Sequence, residues 1–361
     1  MTLALNGRTM AFTLPDLPHL SSLPFDTVID VRAPAEFAED HIPGAISLPV
    51  LSDAARAEVG TIYVQDNPFA ARKIGAALVA RNAATHIQGP LADKDGGWQP
   101  LVYCWRGGQR SGSFASILAQ IGWRVEVLKG GYQSYRRSIV SGLYDTPLPH
   151  RLVLLDGNTG TAKTELLHML AGQDVQILDL EGLANHRGSV LGPRAGGQPS
   201  QKMFESRIAA HLFALDPARP VLVEAESSKV GNLIVPPSVW SAMRAAPRIM
   251  VTALPEDRAR YLARAYADIA GDHAALKTIL AKLIPMQGHE RVAHWNALID
   301  NQDLETLARE LIDHHYDSRY AQSRSRSDAA AHVVQIRLDP DGLNAACDDL
   351  RKSLANVQHT L

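Results

Sequence analysis

The sequence contains few cysteines, and this scarcity excludes two classes of architecture. Its 361 residues include two cysteines, Cys104 and Cys347. They lie far apart and show no metal-ligand spacing, so we expect neither a disulfide framework nor a zinc site. A free cysteine is commonly a buried structural residue, and Cys347, which has no charged neighbourhood suited to a thiolate, is interpreted as one.

Long hydrophobic runs are also missing. No stretch reaches about 18 uncharged apolar residues, and the N-terminal residues lack the basic start and apolar core of a signal peptide. These absences predict a cytoplasmic protein that does not act in a membrane. They carry no indication of its oligomeric state.

An excess of positive charge is absent as well. The formal net charge is -2, with 13 basic and 13 acidic residues up to position 145 and 23 against 25 beyond it. A nucleic-acid partner would therefore be held by a local basic stripe and not by overall charge. Apolar residues make up 46% of the chain, which is ordinary for a globular protein.

The stretch 101–113 combines an apolar strand, a glycine-rich loop and the start of a helix predicted over Ser113–Ile121. Such a turn aims several backbone N–H groups at one point, where the helix macrodipole adds positive potential. Cys104 lies at that point, and Arg106 and Arg110 add guanidinium charge. We therefore predict an easily ionised thiol that faces an anion-binding cup. The remaining cup residues are Gly107, Gly108, Gln109 and Ser111.

The segment before this loop resembles the opening signature of rhodanese domains. The resemblance rests on Asp30-Val31-Arg32, Glu36-Phe37, His41-Ile42-Pro43-Gly44-Ala45 and Leu48-Pro49. It implies that Cys104 stands where rhodaneses carry their persulfide. Common single-domain rhodaneses have one residue fewer between the cysteine and the loop arginine. The wider spacing here also resembles rhodanese-like phosphatases and arsenate reductases, so a cysteine-dependent phosphatase remains an alternative.

A second anion site is predicted directly after the apolar strand Arg151–Leu155. The pattern resembles a P-loop, with a strand before it and the helix Glu165–Ala171 after it. Its candidate phosphate-binding residues are Gly157, Asn158, Thr159, Gly160, Thr161, Lys163 and Thr164. Lys163 would reach the phosphates, and the Thr164 hydroxyl would suit a magnesium ion. Ala162 replaces the usual glycine, which fits only if that position needs right-handed helical angles.

Acidic residues follow two further strands of this half. Asp179 and Glu181 end the strand Val175–Leu180, and Glu224 and Glu226 follow Val221–Val223. Acids at the carboxyl ends of parallel strands lie beside the P-loop. They could bind a metal ion or a ribose, or cap the next helix.

A flexible, basic and amide-rich stretch lies between those strands. Its candidate RNA contacts are His186, Arg187, Arg194, Lys202 and Arg207. We interpret it as a lid or an RNA-contacting loop, with an ordinary solvated loop as the alternative. The helix from Glu256 to Ala270 carries Arg258, Arg260 and Arg264 along one side. These arginines could meet a phosphate backbone, although solvated helix charges are the commoner interpretation of such a stripe.

The motifs together resemble the tRNA 2-selenouridine synthase family. The resemblance covers roughly residues 15–320 and rests on 103–108, 179–189 and 198–205. It implies an α/β fold: a rhodanese-like domain at 1–145, a P-loop domain with a parallel sheet and a helical C-terminal part at 146–320, and a strand and helix extension at 321–361.

The resemblance also implies an activity. An enzyme of this family replaces sulfur by selenium in wobble 2-thiouridine of tRNA, taking selenium from selenophosphate through an S-geranyl intermediate made with geranyl diphosphate. The implied partners are the tRNA anticodon loop and a selenophosphate supplier. No tightly bound cofactor is expected, although magnesium would suit the P-loop. A sulfurtransferase with a regulatory nucleotide domain and a non-enzymatic scaffold are the further alternatives.

Overall fold

The computed structural model describes residues 10–17, 22–189, 191–192, 194–265, 271–318 and 332–358. The chain divides into two compact units. One comprises Met1–Thr146 and Pro199–Leu215, and the other comprises Pro147–Gln198 and Asp216–Leu361. The expected ranges 1–145, 146–320 and 321–361 are continuous in sequence. The first unit is discontinuous, because it also contains the later segment Pro199–Leu215.

The first unit is built on a parallel sheet. Its strands are β1 (Met10–Phe12), β2 (Thr27–Asp30), β3 (Ile46–Ser47), β4 (Pro100–Tyr103) and β5 (Glu126–Leu128). Their order in the sheet is β1-β5-β4-β2-β3, and every pairing is parallel. All four residues of β4 are buried, which is the pattern of a central strand covered on both faces.

Helices cover the sheet of the first unit. They are α1 (Pro34–Glu39), α2 (Asp53–Gln65), α3 (Pro68–Gln88), α4 (Gln109–Ile121) and α5 (Gly131–Val140), which continues as a π-helical turn over Ser141–Asp145. Helix α3 is the longest of these and has Pro68 at its first position. Its start is fixed by the Asn67 side chain, which accepts hydrogen bonds from the backbone of Phe69 and Ala70.

The second unit contains another parallel sheet. Its strands are β6 (Leu152–Gly157), β7 (Gln176–Leu178), β8 (Val221–Glu224), β11 (Arg248–Thr252) and β12 (His332–Gln335), while β9 (Lys229–Val230) and β10 (Leu233–Ile234) form a small antiparallel pair. The main sheet has the order β12-β11-β6-β8-β7. The expected α/β class is therefore confirmed.

The remaining helices follow the P-loop strand. They are α6 (Lys163–Ala171), α7 (Leu180–Leu183), α8 (Gln201–Leu212), α9 (Pro237–Ala245), α10 (Pro255–Ala265), α11 (His273–Ala281), α12 (Ile284–Gln287), α13 (His289–Asp300), α14 (Leu304–Leu311), which continues as a π-helical turn over Ile312–Tyr316, and α15 (Pro340–Gln358). Within the described ranges no helix is both long and apolar enough to cross a bilayer. The last residues of the helix expected over Glu256–Ala270 lie outside the described residues.

Helix α8 belongs to the first unit. The Ser200 side chain accepts a hydrogen bond from the Met203 backbone and so caps its start. On α8, Glu205 pairs with Arg136 and accepts a hydrogen bond from the Tyr144 hydroxyl at 2.6 Å. The basic stretch expected to be a loop up to Arg207 is therefore helical from Gln201 onward.

The C-terminal segment completes the second unit. Strand β12 pairs with β11, and α15 packs against α6. Cys347 on α15 is completely buried in the apolar core, which confirms its structural interpretation. The part of the expected extension at 321–331 lies outside the described residues.

Candidate functional site

Cys104 lies directly after the central strand of the first unit. Cys104 is 3% exposed, and the Ser111 hydroxyl lies 3.2 Å from the Cys104 Sγ. Helix α4 begins at Gln109, four residues before the expected start, because the chain turns sharply at Gly107. The loop is therefore confined to Cys104–Gly108, and Arg110 and Ser111 lie in the first helical turn.

Two glycines allow this loop to close. Gly107 and Gly131 have positive φ angles of 66° and 56°. A Cβ on Gly131 would lie 2.3 Å from the Cys104 carbonyl oxygen, which no other residue type could tolerate. The Tyr132 backbone N–H donates to that same carbonyl at 2.8 Å. The turn before α5 therefore fixes the position of the cysteine.

The two arginines of the cup differ in their surroundings. Arg110 donates through Nη1 to Glu36 Oε2 at 2.9 Å, while Arg106 is exposed. Burial opposes ionisation of Glu36, but the hydrogen bond and charge of Arg110 hold its pKa below the usual value. Arg110 is thus anchored at the cup by an ion pair, and Arg106 is the more accessible cation.

The second candidate anion site is the loop between β6 and α6, which carries the P-loop-like pattern. Lys163 donates to the Gly157 carbonyl oxygen at 2.8 Å, and Thr164 donates to Glu181 at 3.2 Å. A cavity of about 290 Å³ opens over the loop and is lined by Gly160, Lys163 and Thr164 among others. The N-terminus of α6 and the lysine make this cavity suitable for phosphate groups.

Ala162 adopts a left-handed conformation, with φ 54° and ψ 28°. Alanine in place of the usual glycine is free of strain only if this position is right-handed. The structure shows a left-handed backbone here, so that condition is not met. A left-handed alanine costs about 1–2 kcal/mol. The loop therefore stores backbone strain next to Lys163.

A buried ion pair supports the loop from behind. Arg258 is 3% exposed and donates to the Thr159 carbonyl oxygen at 2.8 and 2.9 Å. It also pairs with Asp317 at 2.7 Å, and Asp317 accepts from the Asn158 side chain. The expectation that Arg258 meets a phosphate backbone is wrong, because its guanidinium is committed to the loop.

Three carboxyl groups crowd beside the P-loop. Glu181 is 8% exposed and Glu224 is 1% exposed. A Cβ on Gly188 would lie 2.2 Å from Glu181 Oε1 and 2.7 Å from Glu226 Oε1, so this glycine lets the chain pass over both. Within the described ranges, no group of three or more His, Cys, Asp or Glu residues could hold a metal ion.

Burial changes the ionisation of this cluster. Desolvation, followed by the charges of neighbouring carboxylates, raises the pKa of Glu181 and Glu224 well above the usual value, although Lys163 opposes the shift. For Glu226, desolvation and the charge of Glu224 raise the pKa to about 7. Below neutral pH the cluster consequently places little negative charge beside the phosphate cavity.

Asp179 has a capping role. Its side chain accepts from the Gly182 backbone at 2.7 Å, and its other oxygen lies 2.7 Å from His168 Nε2. Of the three roles considered for this residue, the structure shows the helix cap.

The basic residues expected to contact RNA fall into two groups. Arg187 and Arg194 line the phosphate cavity, whereas Lys202 and Arg207 lie on α8, in the other unit. Lys202 pairs with Glu39 at 2.6 Å. His186 is 8% exposed, and burial, with the charges of Arg194 and Arg187, lowers its pKa. His186 therefore offers little surface to an RNA.

Sequence reasoning missed the loop support by Arg258 and Asp317. The two residues are 59 positions apart, and neither belongs to a motif. In the sequence, Arg258 is simply one of several arginines on an amphipathic helix. A buried arginine cannot be distinguished there from a solvated one without the fold.

Two protein-family models match the chain. A family model described as the tRNA 2-selenouridine synthase AAA domain matches residues 150–339, and a model of the rhodanese-like domain matches residues 17–138. Both domain types expected from the motifs are thereby confirmed.

Several curated proteins are similar over much of the chain. A tRNA 2-selenouridine synthase of Hahella chejuensis (strain KCTC 2396) is 38% identical, with 66% of this chain and 63% of that protein aligned. One of Psychromonas ingrahamii is 34% identical over 67% and 65%, and one of Alcanivorax borkumensis is 35% identical over 71% and 73%. The match thus spans less than two thirds of the first two relatives.

Proposed function

Since the chain belongs to the tRNA 2-selenouridine synthase family, we propose that it replaces sulfur by selenium at C2 of a 2-thiouridine in tRNA. This proposal rests on one observation: the same chain carries a cysteine in a glycine-rich, anion-binding type of loop and a P-loop. A thiol carrier alone would suit many sulfurtransferases, and a P-loop alone would suit many phosphate-binding proteins. The pair matches a reaction that needs both a chalcogen donor and a diphosphate leaving group.

We assign the first step to the P-loop. The sulfur of the thiocarbonyl attacks C1 of geranyl diphosphate, the C–O bond to diphosphate breaks, and the N3 proton is lost to solvent. Lys163 and the N–H groups at the start of α6 would hold the departing diphosphate. Alkylation is chemically useful because a thioether sulfur leaves as a thiol, whereas a thiocarbonyl sulfur is a poor leaving group.

We assign the second step to the cysteine cup. Cys104 is the nucleophile or the selenium carrier, and Arg106, Arg110 and the loop amides hold anionic selenophosphate. The selenium of selenophosphate adds to C2, the C–S bond breaks, and geranylthiolate departs and takes a proton from solvent. The P–Se bond of the resulting Se-phosphate ester is then cleaved by attack of the Cys104 thiolate on phosphorus, and water releases phosphate from the cysteine, which leaves 2-selenouridine. Ser111, whose hydroxyl lies next to Cys104 Sγ, would orient the thiol.

The tRNA is the proposed macromolecular partner. A wobble base lies in an anticodon loop, where it can be read as single-stranded RNA. Arg187 and Arg194 at the phosphate cavity are the candidates closest to the first step, and Lys202 and Arg207 remain candidates on α8. A protein that supplies selenophosphate is a further proposed partner.

The proposal is tested by mass spectrometry of tRNA nucleosides from a deletion strain. Complementation with wild type should restore 2-selenouridine. Lys163→Ala should abolish geranylation, while Cys104→Ser should retain S-geranyl-2-thiouridine and block selenium incorporation. Persistence of 2-selenouridine in the deletion strain would show that another protein performs the reaction.

A further inference from the structure

The phosphate cavity of the second unit adjoins a second space. This groove has a volume of about 400 Å³. Three residues line both spaces, namely Glu165 on α6 and Tyr261 and Ala265 on α10. The cavity and the groove therefore meet along these two helices, and a ligand anchored at the P-loop can extend past Tyr261.

The interior of the groove is apolar. Leu338 and Leu343, which form part of its lining, belong to the buried core and are each 5% exposed. Met169 and Tyr261, which also line the groove, are partly buried and pack against the same core. The groove thus exposes the edge of a hydrophobic cluster, and covering it would remove apolar surface from water.

Polar groups are confined to the edge of the groove. Arg264 is exposed and donates to the Leu338 carbonyl oxygen at 3.2 Å. Glu165 and Asn344 are exposed lining residues. Recognition of a base or a ribose needs polar groups inside the pocket, whereas the buried lining residues of this groove, Leu338 and Leu343, are apolar.

We propose that this groove binds the hydrocarbon chain of a diphosphate ester whose diphosphate lies on the P-loop. The ligand class is therefore an amphiphile, with an anionic head for Lys163 and an apolar tail for Met169, Tyr261 and Leu343. The volume of 400 Å³ falls within the roughly 300–1,000 Å³ of small-molecule sites. This inference rests on the proposed function and deepens it, because it locates the geranyl chain.

The first test compares two tryptophan variants of the full-length chain. Asn344→Trp places an indole in the groove, and Ala345→Trp adds the same group at the neighbouring exposed position of α15, outside the groove lining. Dissociation constants for geranyl diphosphate and inorganic diphosphate are measured by calorimetry. Asn344→Trp should weaken geranyl diphosphate about tenfold, or about 1.4 kcal/mol, and leave inorganic diphosphate unchanged. Ala345→Trp should change neither.

A second variant covers the case in which the indole turns outward. Met169→Gln keeps the side-chain length and adds a polar group, so it should weaken geranyl diphosphate several-fold and again spare inorganic diphosphate. If both variants bind geranyl diphosphate like wild type, the groove is not the chain site. Equal affinity of wild type for the two ligands would overturn the inference as well.

Another groove, in the first unit, is an alternative site for the hydrocarbon chain and is tested with a third variant. It measures about 810 Å³ and is lined by Val59, Gly60 and Val79 among others. A Cβ on Gly60 would meet no atom within 4 Å, so a side chain can be attached at this position without a backbone clash. Weakened geranyl diphosphate binding in Gly60→Trp, with normal binding in Asn344→Trp, would place the chain there and overturn the proposal.

Failure of the proposed function has a different signature. If 2-selenouridine persists in the deletion strain while Asn344→Trp still weakens the binding of geranyl diphosphate and spares inorganic diphosphate, the proposed groove is supported and the proposed tRNA reaction is wrong. If 2-selenouridine disappears from the deletion strain but the variants bind geranyl diphosphate like wild type, the proposed reaction is supported and the proposed groove is wrong.

Discussion

Ala162 shows how one residue can carry strain at a functional loop. Its φ of 54° is a conformation that glycine adopts freely and that alanine adopts at a cost of about 1–2 kcal/mol. The strained residue directly precedes Lys163, whose amine must meet the phosphates. The sequence identifies the unusual residue but not its backbone angle, because that angle depends on how α6 packs on the sheet.

Replacement of Ala162 by glycine should therefore stabilise the chain. The strain relieved is about 1–2 kcal/mol, and the greater freedom of glycine in the unfolded chain offsets about 0.4–1 kcal/mol of it. We expect a net gain in the free energy of unfolding of between zero and about 1.6 kcal/mol, measured by chemical denaturation. Ala162→Val is the opposing variant and should destabilise the chain, since β-branched residues tolerate positive φ poorly. Stabilisation by valine would contradict the assigned conformation.

The buried carboxyl groups predict a pH dependence of stability. The pKa of Glu224 is raised by burial, so the folded state binds a proton that the unfolded chain releases near its usual pKa. Stability is therefore fully present at acidic pH and declines as pH rises through the folded pKa, by up to about 1.4 kcal/mol per pH unit and group.

Glu224→Gln should reduce this decline. Denaturation midpoints of the second unit are measured from pH 5 to 8, about the range over which such a group titrates. Wild type should lose stability across the range, and the amide variant should lose less. Glu165→Gln, at an exposed position of α6, is the control and should follow wild type. Identical slopes for Glu224→Gln and wild type would show that this carboxyl is ionised in the folded protein.

At the scale of elements, α10 holds the P-loop in place through Arg258. This arginine contacts the Thr159 carbonyl and Asp317 together, and lysine cannot reproduce that fork of donors. Arg258→Lys should lower the melting temperature and weaken diphosphate binding about tenfold, or about 1.4 kcal/mol. Arg260→Lys is matched to it, because Arg260 is exposed on the same helix and pairs with Asp257. Equal effects of the two variants would contradict the bracing role.

Elements with local motifs were predicted well. The strand before Cys104, the strand before Gly157 and the helix after each loop follow from short patterns of apolar residues, glycines and caps. Helix α8 was missed because it begins with the polar residues Ser200 and Gln201 and because its burial depends on a distant part of the chain. The Arg258–Asp317 pair escaped for the same reason, since only tertiary packing brings the two together.

At the scale of the whole molecule, the chain leaves the first unit after Thr146 and returns to it at Pro199–Leu215. The returning helix contributes Phe204, Ile208 and Leu212, all with no exposed surface. Burial of such side chains stabilises a fold by roughly 1.5–3 kcal/mol each. Their sum is comparable with the total stability of a typical domain, about 5–15 kcal/mol.

A fragment that ends at Thr146 should consequently fold poorly. Joining Pro199–Leu215 to its C-terminus through a flexible glycine-serine linker should restore a cooperative thermal transition, because α8 can then pack on α5. The same fusion with Glu205→Ala removes the partner of Arg136 and Tyr144 and should melt at a lower temperature. The contrary outcome is that the short fragment unfolds as cooperatively, and at the same temperature, as the fusion. That result would show that the first unit is complete without its returning helix and that the rhodanese-like fold ends at Thr146.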